Sequence, residues 1–182
     1  MCIRDRRATD PDHVAWRGRC RRAAEERLRR VNAGEAGLED VAEAARNYSA
    51  AGEADQAVDL VAQVAAMQLP TMTKAAFLGE VLSLVPEDHD SFAVVVDAEA
   101  EALIALGLGP QALVRHRQLL ARHERLAATD PTNAGFQRDL SVSYNKLGDL
   151  MVAVGNGTEA ERFFRDGLAI ACLLYTSPSP RD

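Results

Sequence analysis

Few residues in this sequence are equipped for chemistry, and their spacing narrows what they can do. Asp88-His89-Asp90 sets three metal-ligand side chains side by side. Adjacent residues in a loop, with no distant ligand set, make a poor cage for an ion. A helix start capped by Asp90 or Ser91 accounts for the acids without a metal. His116 and His123 fall on one helical pattern but seven residues apart, which is two turns, or about 10 Å, too far to share one ion. They are expected to flank an apolar stripe of Leu113, Leu120 and Ala127. Asp97, Glu99 and Glu101 offer carboxylates, but on a helix only Asp97 and Glu101 share a face, and no His, Lys or nucleophile stands beside them for acid–base work. Cys20, four residues from Trp16 on an apolar stripe, reads as a core thiol. The motifs GxGxxG, GxxxxGK(S/T), HExxH and GxSxG are absent. The expectation is therefore no catalytic residue, no metal, no cofactor, and no enzyme activity of the chain's own.

The elements that must position any site are helices. From Asp139 to Leu168 the sequence reads DLSVSYNKLGDLMVAVGNGTEAERFFRDGL. Apolar residues at Phe136, Leu140, Tyr144, Leu147, Met151 and Val154 step by 4, 4, 3, 4 and 3, the period of one helix face. Gly155-Asn156-Gly157 stops that helix, because glycine tolerates the left-handed turn that a helix C-terminus adopts. Thr158 to Glu161 reads as a capping box that restarts it. The second helix would then present Ala160, Phe164, Leu168 and Ala171. The product is a helical hairpin with one apolar seam.

This stretch resembles the tetratricopeptide repeat, a 34-residue helix–turn–helix unit. With Tyr144 as the fourth position of the motif, Leu147, Gly148, Gly155, Ala160 and Phe164 match the family's large, small, turn, small and aromatic residues. Met151 replaces an aromatic and Gly167 an alanine. The phrase LSVSYNKLGDLMVAVGN is similar to a bacterial subfamily of such repeats. Gly148 and Ala160 are expected to let the paired backbones approach.

The turn recurs twice more. Gly52, Gly107 and Gly155 are each followed four places later by Gln56, Gln111 or Glu159 and then by Ala57, Ala112 or Ala160. Eleven residues before each glycine stand Val41, Val96 and Tyr144; nine before each alanine stand Tyr48, Leu103 and Met151. Three hairpins follow, at about 38–69, 91–128 and 133–171. In the first two the resemblance is weaker, with Val61 and His116 at the aromatic position and Ala45 and Ala100 at the small one. Thr9-Asp10-Pro11 and Thr129-Asp130-Pro131 read as joints between units. After the first joint, Trp16, Cys20, Ala24, Leu28 and Val31 make another helix face. Met72 to Leu84 is a further amphipathic helix. Because stacked helices alternate in direction, this odd helix either misphases one hairpin or interrupts the stack near residues 70–90.

Composition agrees with helices: 5% aromatic residues and abundant Ala, Leu, Glu and Arg. Arg17, Arg19, Arg21, Arg22, Arg27, Arg29 and Arg30 make one basic face, with Glu25–Arg29 and Glu26–Arg30 in the favourable order for intrahelical pairs. Residues 32–171 carry 21 acids against 10 bases, so no domain-scale positive field exists for nucleic acid. No run approaches the roughly 18 apolar residues of a membrane span. Met1 to Arg6 and Cys172 to Asp182 read as translated sequencing-adapter DNA. If the first is coded ATG TGT ATA AGA GAC AG, its reverse complement, one base out of phase, yields Cys172 to Thr176. These tails hold three arginines against two aspartates, so without them the net charge moves from −6 to −7. Of Cys2, Cys20 and Cys172 only Cys20 is then native, and no disulfide framework exists. The native part is expected to be one helical-repeat domain over residues 7–171, cytoplasmic, lacking its own termini and joined to further repeats.

The resemblance implies an all-α superhelix, a solenoid of antiparallel helical hairpins with a concave face. In that family the first helix of each unit lines the groove through its second, fifth and ninth positions. Carried over residue by residue these are Val142, Asn145 and Asp149 in the strongest unit, Val94, Asp97 and Glu101 in the second, and Glu39, Ala42 and Arg46 in the first. Asn and Asp suit an extended peptide backbone, and the acids favour basic or neutral ligands; equally, these are polar positions that merely face solvent. The implied function is a protein-interaction scaffold that binds a peptide or partner domain. The other reading is a sensory or regulatory arm of a larger signalling protein, with its enzymatic or nucleotide-binding domain elsewhere.

Overall fold

The computed structural model describes residues 11–176. Within them the chain is all-α, with eight helices and no strand. They are α1 (Pro11–Asn32), α2 (Leu38–Ala51), α3 (Ala54–Ala66), α4 (Thr71–Val81) with a 3-10 turn Leu82–Leu84, α5 (Phe92–Ala105), α6 (Gly109–Thr129), α7 (Ala134–Ala153) and α8 (Gly157–Thr176). Met1 to Arg6 and residues 177–182 lie outside the described residues, whereas residues 172–176 continue α8.

The repeated turn is what makes hairpins of these helices. Gly52, Gly107 and Gly155 all adopt φ of 75–81°, a left-handed conformation that costs a β-carbon about 1–2 kcal/mol. At each, the next amide reaches back to the last turn of its helix: Glu53 N to Tyr48 O, Leu108 N to Leu103 O, and Asn156 N to Met151 O. This paired closure satisfies carbonyls that would otherwise be orphaned. The same closure ends α1, where Gly34 has φ 74° and Glu35 N reaches Arg30 O. The alanines that follow, Ala57, Ala112 and Ala160, are all buried at the apex of their hairpins.

Contacts divide the chain into two compact units, Met1–Glu99 and Ala100–Asp182, with the division inside α5. In the first, α1 and α2 run antiparallel, since Arg27 pairs with Asp40 while Arg17 donates to Ala51 O. Helix α2 packs on α3, and α4 with its 3-10 turn packs against both. Lys74 of α4 donates to Ala65 O at the end of α3 (3.0 Å), a cation placed where a helix exposes its last carbonyls. The odd helix of the sequence is thus a third rod closing the α2–α3 hairpin. At the start of α5, Phe92, Val95 and Val96 are buried.

In the second unit α7 lies between α6 and α8. Leu147, Met151, Ala160 and Phe163 form the core of the α7–α8 pair, each large side chain contributing about 1.5–3 kcal/mol on burial. The pairing is antiparallel: Ser141 Oγ donates to Gly167 O (3.0 Å), and nearer the turn Gly148 faces Phe164. A β-carbon on Gly148 would stand 2.5 Å from the Phe164 ring, and one on Gly167 would stand 3.2 Å from Ser141 O. A side chain at either glycine would force a neighbour to shift, including at the one that departs from the repeat pattern.

Three expectations are corrected. The buried stripe of α8 is Ala160, Phe163 and Gly167, while Leu168 is 63% exposed and Ala171 is also exposed; the helix is rotated so that Phe163 faces Tyr144. The box at the start of α8 is Asn156–Glu159, with Asn156 Oδ1 accepting from Glu159 N (3.3 Å) and Nδ2 donating to Glu159 Oε2 (2.9 Å). Thr158 takes no part because Gly157 is already helical. His116 and His123 do not flank the stripe of α6: Ala112, His116, Leu119, His123 and Ala127 are that stripe.

Gly148 gives a test of the close approach. Alanine gains about 1 kcal/mol of helix propensity over glycine, but overpacking against Phe164 costs about 1–3 kcal/mol. Gly148→Ala should lower the urea midpoint in the wild-type protein and raise it in a Phe164→Leu background. Stabilisation in both backgrounds would show that the ring does not set the spacing.

Candidate functional site

Helix α7 is buried on two sides, and this decides which of its residues remain available. Asn133 starts it, its Oδ1 accepting from Gly135 N (3.0 Å) and Phe136 N (3.2 Å), a side-chain cap worth about 1 kcal/mol. Leu147 and Met151 are buried towards α8, Ser143 and Leu150 towards the other side, and Leu140 is buried as well. Beside the exposed Val142, Asn145 and Val152, this leaves a strip through Lys146, Asp149 and Ala153, at helical spacing.

That strip borders a groove of about 220 Å³ within the second unit. Glu101 and Ile104 of α5 line it together with Lys146, Asp149 and Leu150. His116 of α6 and Ala153 complete the lining, with His116 only 4% exposed. Lys146 Nζ lies 3.8 Å from Glu101 Oε1. Ile104, Leu150 and Ala153 supply apolar surface, and the carboxylates stand on two different helices. Such a surface suits an amphipathic side chain, whose stem takes the apolar part and whose head takes the charge.

The sequence-derived candidates divide sharply. Glu101 and Asp149 both line the groove. Val142 and Asn145 are exposed on α7, but Asn145 Oδ1 would lie 2.9 Å from a β-carbon on Gly167, so this side chain leans over α8. In the first unit Val94 and Glu39 are exposed and Asp97 is half-buried. Arg46 is tied to Glu43 of its own helix and Glu80 of α4; the hydrogen bond to Glu80 is the main reason its pKa is raised, against the lowering effect of burial. Ala42, 1% exposed, belongs to the core and cannot line an open surface. Lys146, Ile104, Leu150, Ala153 and His116 were not among the candidates. The carried-over positions sample one line of the first helix, whereas the groove is built from three helices. His116 did leave a signal, as the polar ring at an aromatic position of the repeat.

Other chemistry-bearing residues have structural partners. His123 Nδ1 and Ser143 Oγ are 2.7 Å apart, a distance that a nucleophile and its base require. Both are at least 93% buried, at 7% and 6% exposure, where no substrate reaches them; the pair ties α6 to α7. His89 Nδ1 accepts from Ser91 N (3.1 Å), a contact that helps to hold the loop before α5. Among the described residues no group of three His, Cys, Asp or Glu is gathered for a metal, and no helix is long and apolar enough to cross a membrane. The arginines of α1 pair differently from the expected Glu25–Arg29 and Glu26–Arg30. Arg21 binds Glu25 (2.9 Å) and Glu53 (3.4 Å), Glu26 binds Arg29, and Asp40 of α2 receives Arg27 and Arg30. Asp40 and Glu53 draw these side chains across to neighbouring segments.

No protein-family model matches the sequence, and no curated protein does. Two solved structures are similar to the chain, both of the nearly identical TPR-like repeats of a candidate kinesin light chain from Podosopora anserina. Each is 19% identical with a TM-score of 0.46; one match covers 88% of this chain and 98% of the other, the second 96% and 97%.

Between α6 and α7, Tyr144 OH donates to Glu124 Oε1 (3.0 Å). Burial first, and then this hydrogen bond, push its pKa from the ordinary 10.0 up to about 12. The folded state thus keeps a proton that the unfolded chain releases earlier. Stability from this group is complete below pH 10 and is lost as pH rises towards about 12. Tyr144→Phe should flatten that part of the stability–pH curve relative to wild type; an unchanged slope would show that the Tyr144–Glu124 bond carries no such linkage.

Proposed function

We propose that this chain is a non-catalytic protein-interaction scaffold that binds an extended peptide segment of a partner in the groove bordered by α5 and α7. The observation that carries this reading is the groove itself. Carboxylates from two helices, Glu101 and Asp149, stand at one apolar-walled opening with Ile104, Leu150 and Ala153. An extended chain suits an opening between rods, because its alternate side chains can enter while its backbone stays solvated. Regular hairpins closed by left-handed glycines further support a repeat scaffold of the tetratricopeptide kind. On this reading residues 7–171 are one bacterial, cytoplasmic repeat array, to which the tails 1–6 and 172–182 are foreign. Asn145, Val142, Asp97, Glu39 and Arg46 then lie along the array outside the groove. Neither nucleic acid nor membrane is a partner.

Ile104 gives the test, since it is 45% exposed and its replacement does not open the core. Peptides selected from a random displayed library should lose at least about tenfold in affinity, or about 1.4 kcal/mol, on Ile104→Arg. Val94→Arg, at an exposed apolar residue of the first unit, should leave them bound. Selected peptides that bind both variants equally would refute the groove as the site.

A further inference from the structure

We infer that the outer face of α1 is a second docking surface, separate from the groove, which takes an acidic segment of a partner protein on Arg19 and Arg22 beside Trp16. Five of the seven arginines of α1 are engaged within the chain: Arg17 at Ala51 O, Arg21 at Glu25 and Glu53, Arg27 and Arg30 at Asp40, and Arg29 at Glu26. Arg19 and Arg22 are exposed, and neither has a hydrogen-bond or ion-pair partner among the described residues. Arg22 Nη1 would stand 3.5 Å from a β-carbon on Gly18, so its guanidinium lies one turn back, level with Arg19. Two cations at this i,i+3 spacing repel one another, and a carboxylate between them relieves the repulsion. Ala15, Trp16 and Ala23 share the same face at helical spacing and are also exposed. Trp16 is 42% exposed, and its ring stacks on His13 with centroids 5.7 Å apart, so the ring is partly fixed before a partner arrives. The two alanines keep the surface low on either side of Arg19, which lets a partner backbone come close. Tryptophan and arginine are the side chains that most often anchor protein interfaces. Here the ring can cover an apolar side chain, while each planar guanidinium takes a carboxylate through two parallel bonds.

Charge complementarity selects the occupant. Two cations without a counter-charge call for an anion, and the rest of the face limits its form. Asp12 and Glu26 stand at the two ends of that face, about 21 Å apart along the helix axis. A nucleic-acid backbone, with its unbroken run of phosphates, would lay charge against both carboxylates. A peptide sets two or three acids only where the arginines are.

Trp16 is the single tryptophan of the chain, so tryptophan fluorescence reports on this face. The test titrates the full chain with acetylated, amidated Ala-Glu-Glu-Leu-Glu-Ala, with its counterparts carrying Gln or Lys in place of Glu, and with oligothymidylate. The Glu peptide should change the Trp16 emission saturably, and its binding should weaken with added salt. The Gln and Lys peptides should leave the emission unchanged. Arg19→Gln and Arg22→Gln should each weaken the Glu peptide roughly two- to fivefold, the range of an exposed ion pair, with the helical circular-dichroism signal intact. Arg29→Gln removes the same charge from the same helix, but from an arginine that Glu26 already holds, and should leave binding within about twofold. The inference is overturned if the Gln peptide binds as well as the Glu peptide, or if Arg29→Gln costs as much as Arg22→Gln. It is overturned equally if oligothymidylate moves the emission more strongly than the Glu peptide, if either arginine variant loses helix, or if no peptide moves Trp16 at all.

Discussion

The close approach of α7 and α8 is the constraint on which the second unit depends. At Gly148 the space of a β-carbon is filled by the Phe164 ring, and at Gly167 a β-carbon would press on the carbonyl of Ser141. With the backbones this near, Leu147, Met151, Ala160 and Phe163 close into one core, and Ser141 can donate across the pair to Gly167 O. A larger residue at Gly148 must displace the Phe164 ring, and one at Gly167 the Asn145 side chain and the carbonyl of Ser141. Packing and polar satisfaction thus impose the same interhelical distance.

The second constraint is electrostatic closure of helix ends. Cations from neighbouring helices reach exposed carbonyls: Arg17 of α1 at the end of α2, and Lys74 of α4 at the end of α3. The C-terminal end of a helix carries partial negative charge, so these contacts join capping to tertiary packing. Asp40, shared by Arg27 and Arg30, works in the same direction between α1 and α2. Much of the basic face that looks like a binding surface in the linear sequence is occupied in holding the first unit together.

The groove is a consequence of geometry in α7. A helix buried against one neighbour keeps a broad exposed face; one buried against two keeps a narrow strip. Leu147 and Met151 face one side and Leu150 the other, and Lys146, Asp149 and Ala153 form one strip of the face that remains, beside Val142, Asn145 and Val152. Helix α5 brings Glu101 and Ile104 opposite to it, and α6 places His116 beneath. The lining of the opening thus comes from residues on three helices.

The helices, their hairpin pairing and the left-handed turns at Gly52, Gly107 and Gly155 were legible in the linear sequence, because they follow from periods of three and four and from the conformational freedom of glycine. Gly148 was expected from the resemblance to the repeat, as its small residue. Glu101 and Asp149 of the groove lining are among the positions carried over from the repeat. The same carry-over placed Ala42 on a surface although it is core, and Arg46 on a surface although Glu43 and Glu80 hold it. It passed over Lys146 entirely. Periodicity tells which residues of a helix share a face, so the sequence by itself determined the rods and their turns. Which neighbour covers each face, and at what rotation, is a matter of contacts between residues far apart in the chain. The buried stripe of α8 at Phe163 and Gly167, the burial of His116 and His123, and the meeting of Lys146 with Glu101 were therefore decided only by tertiary packing.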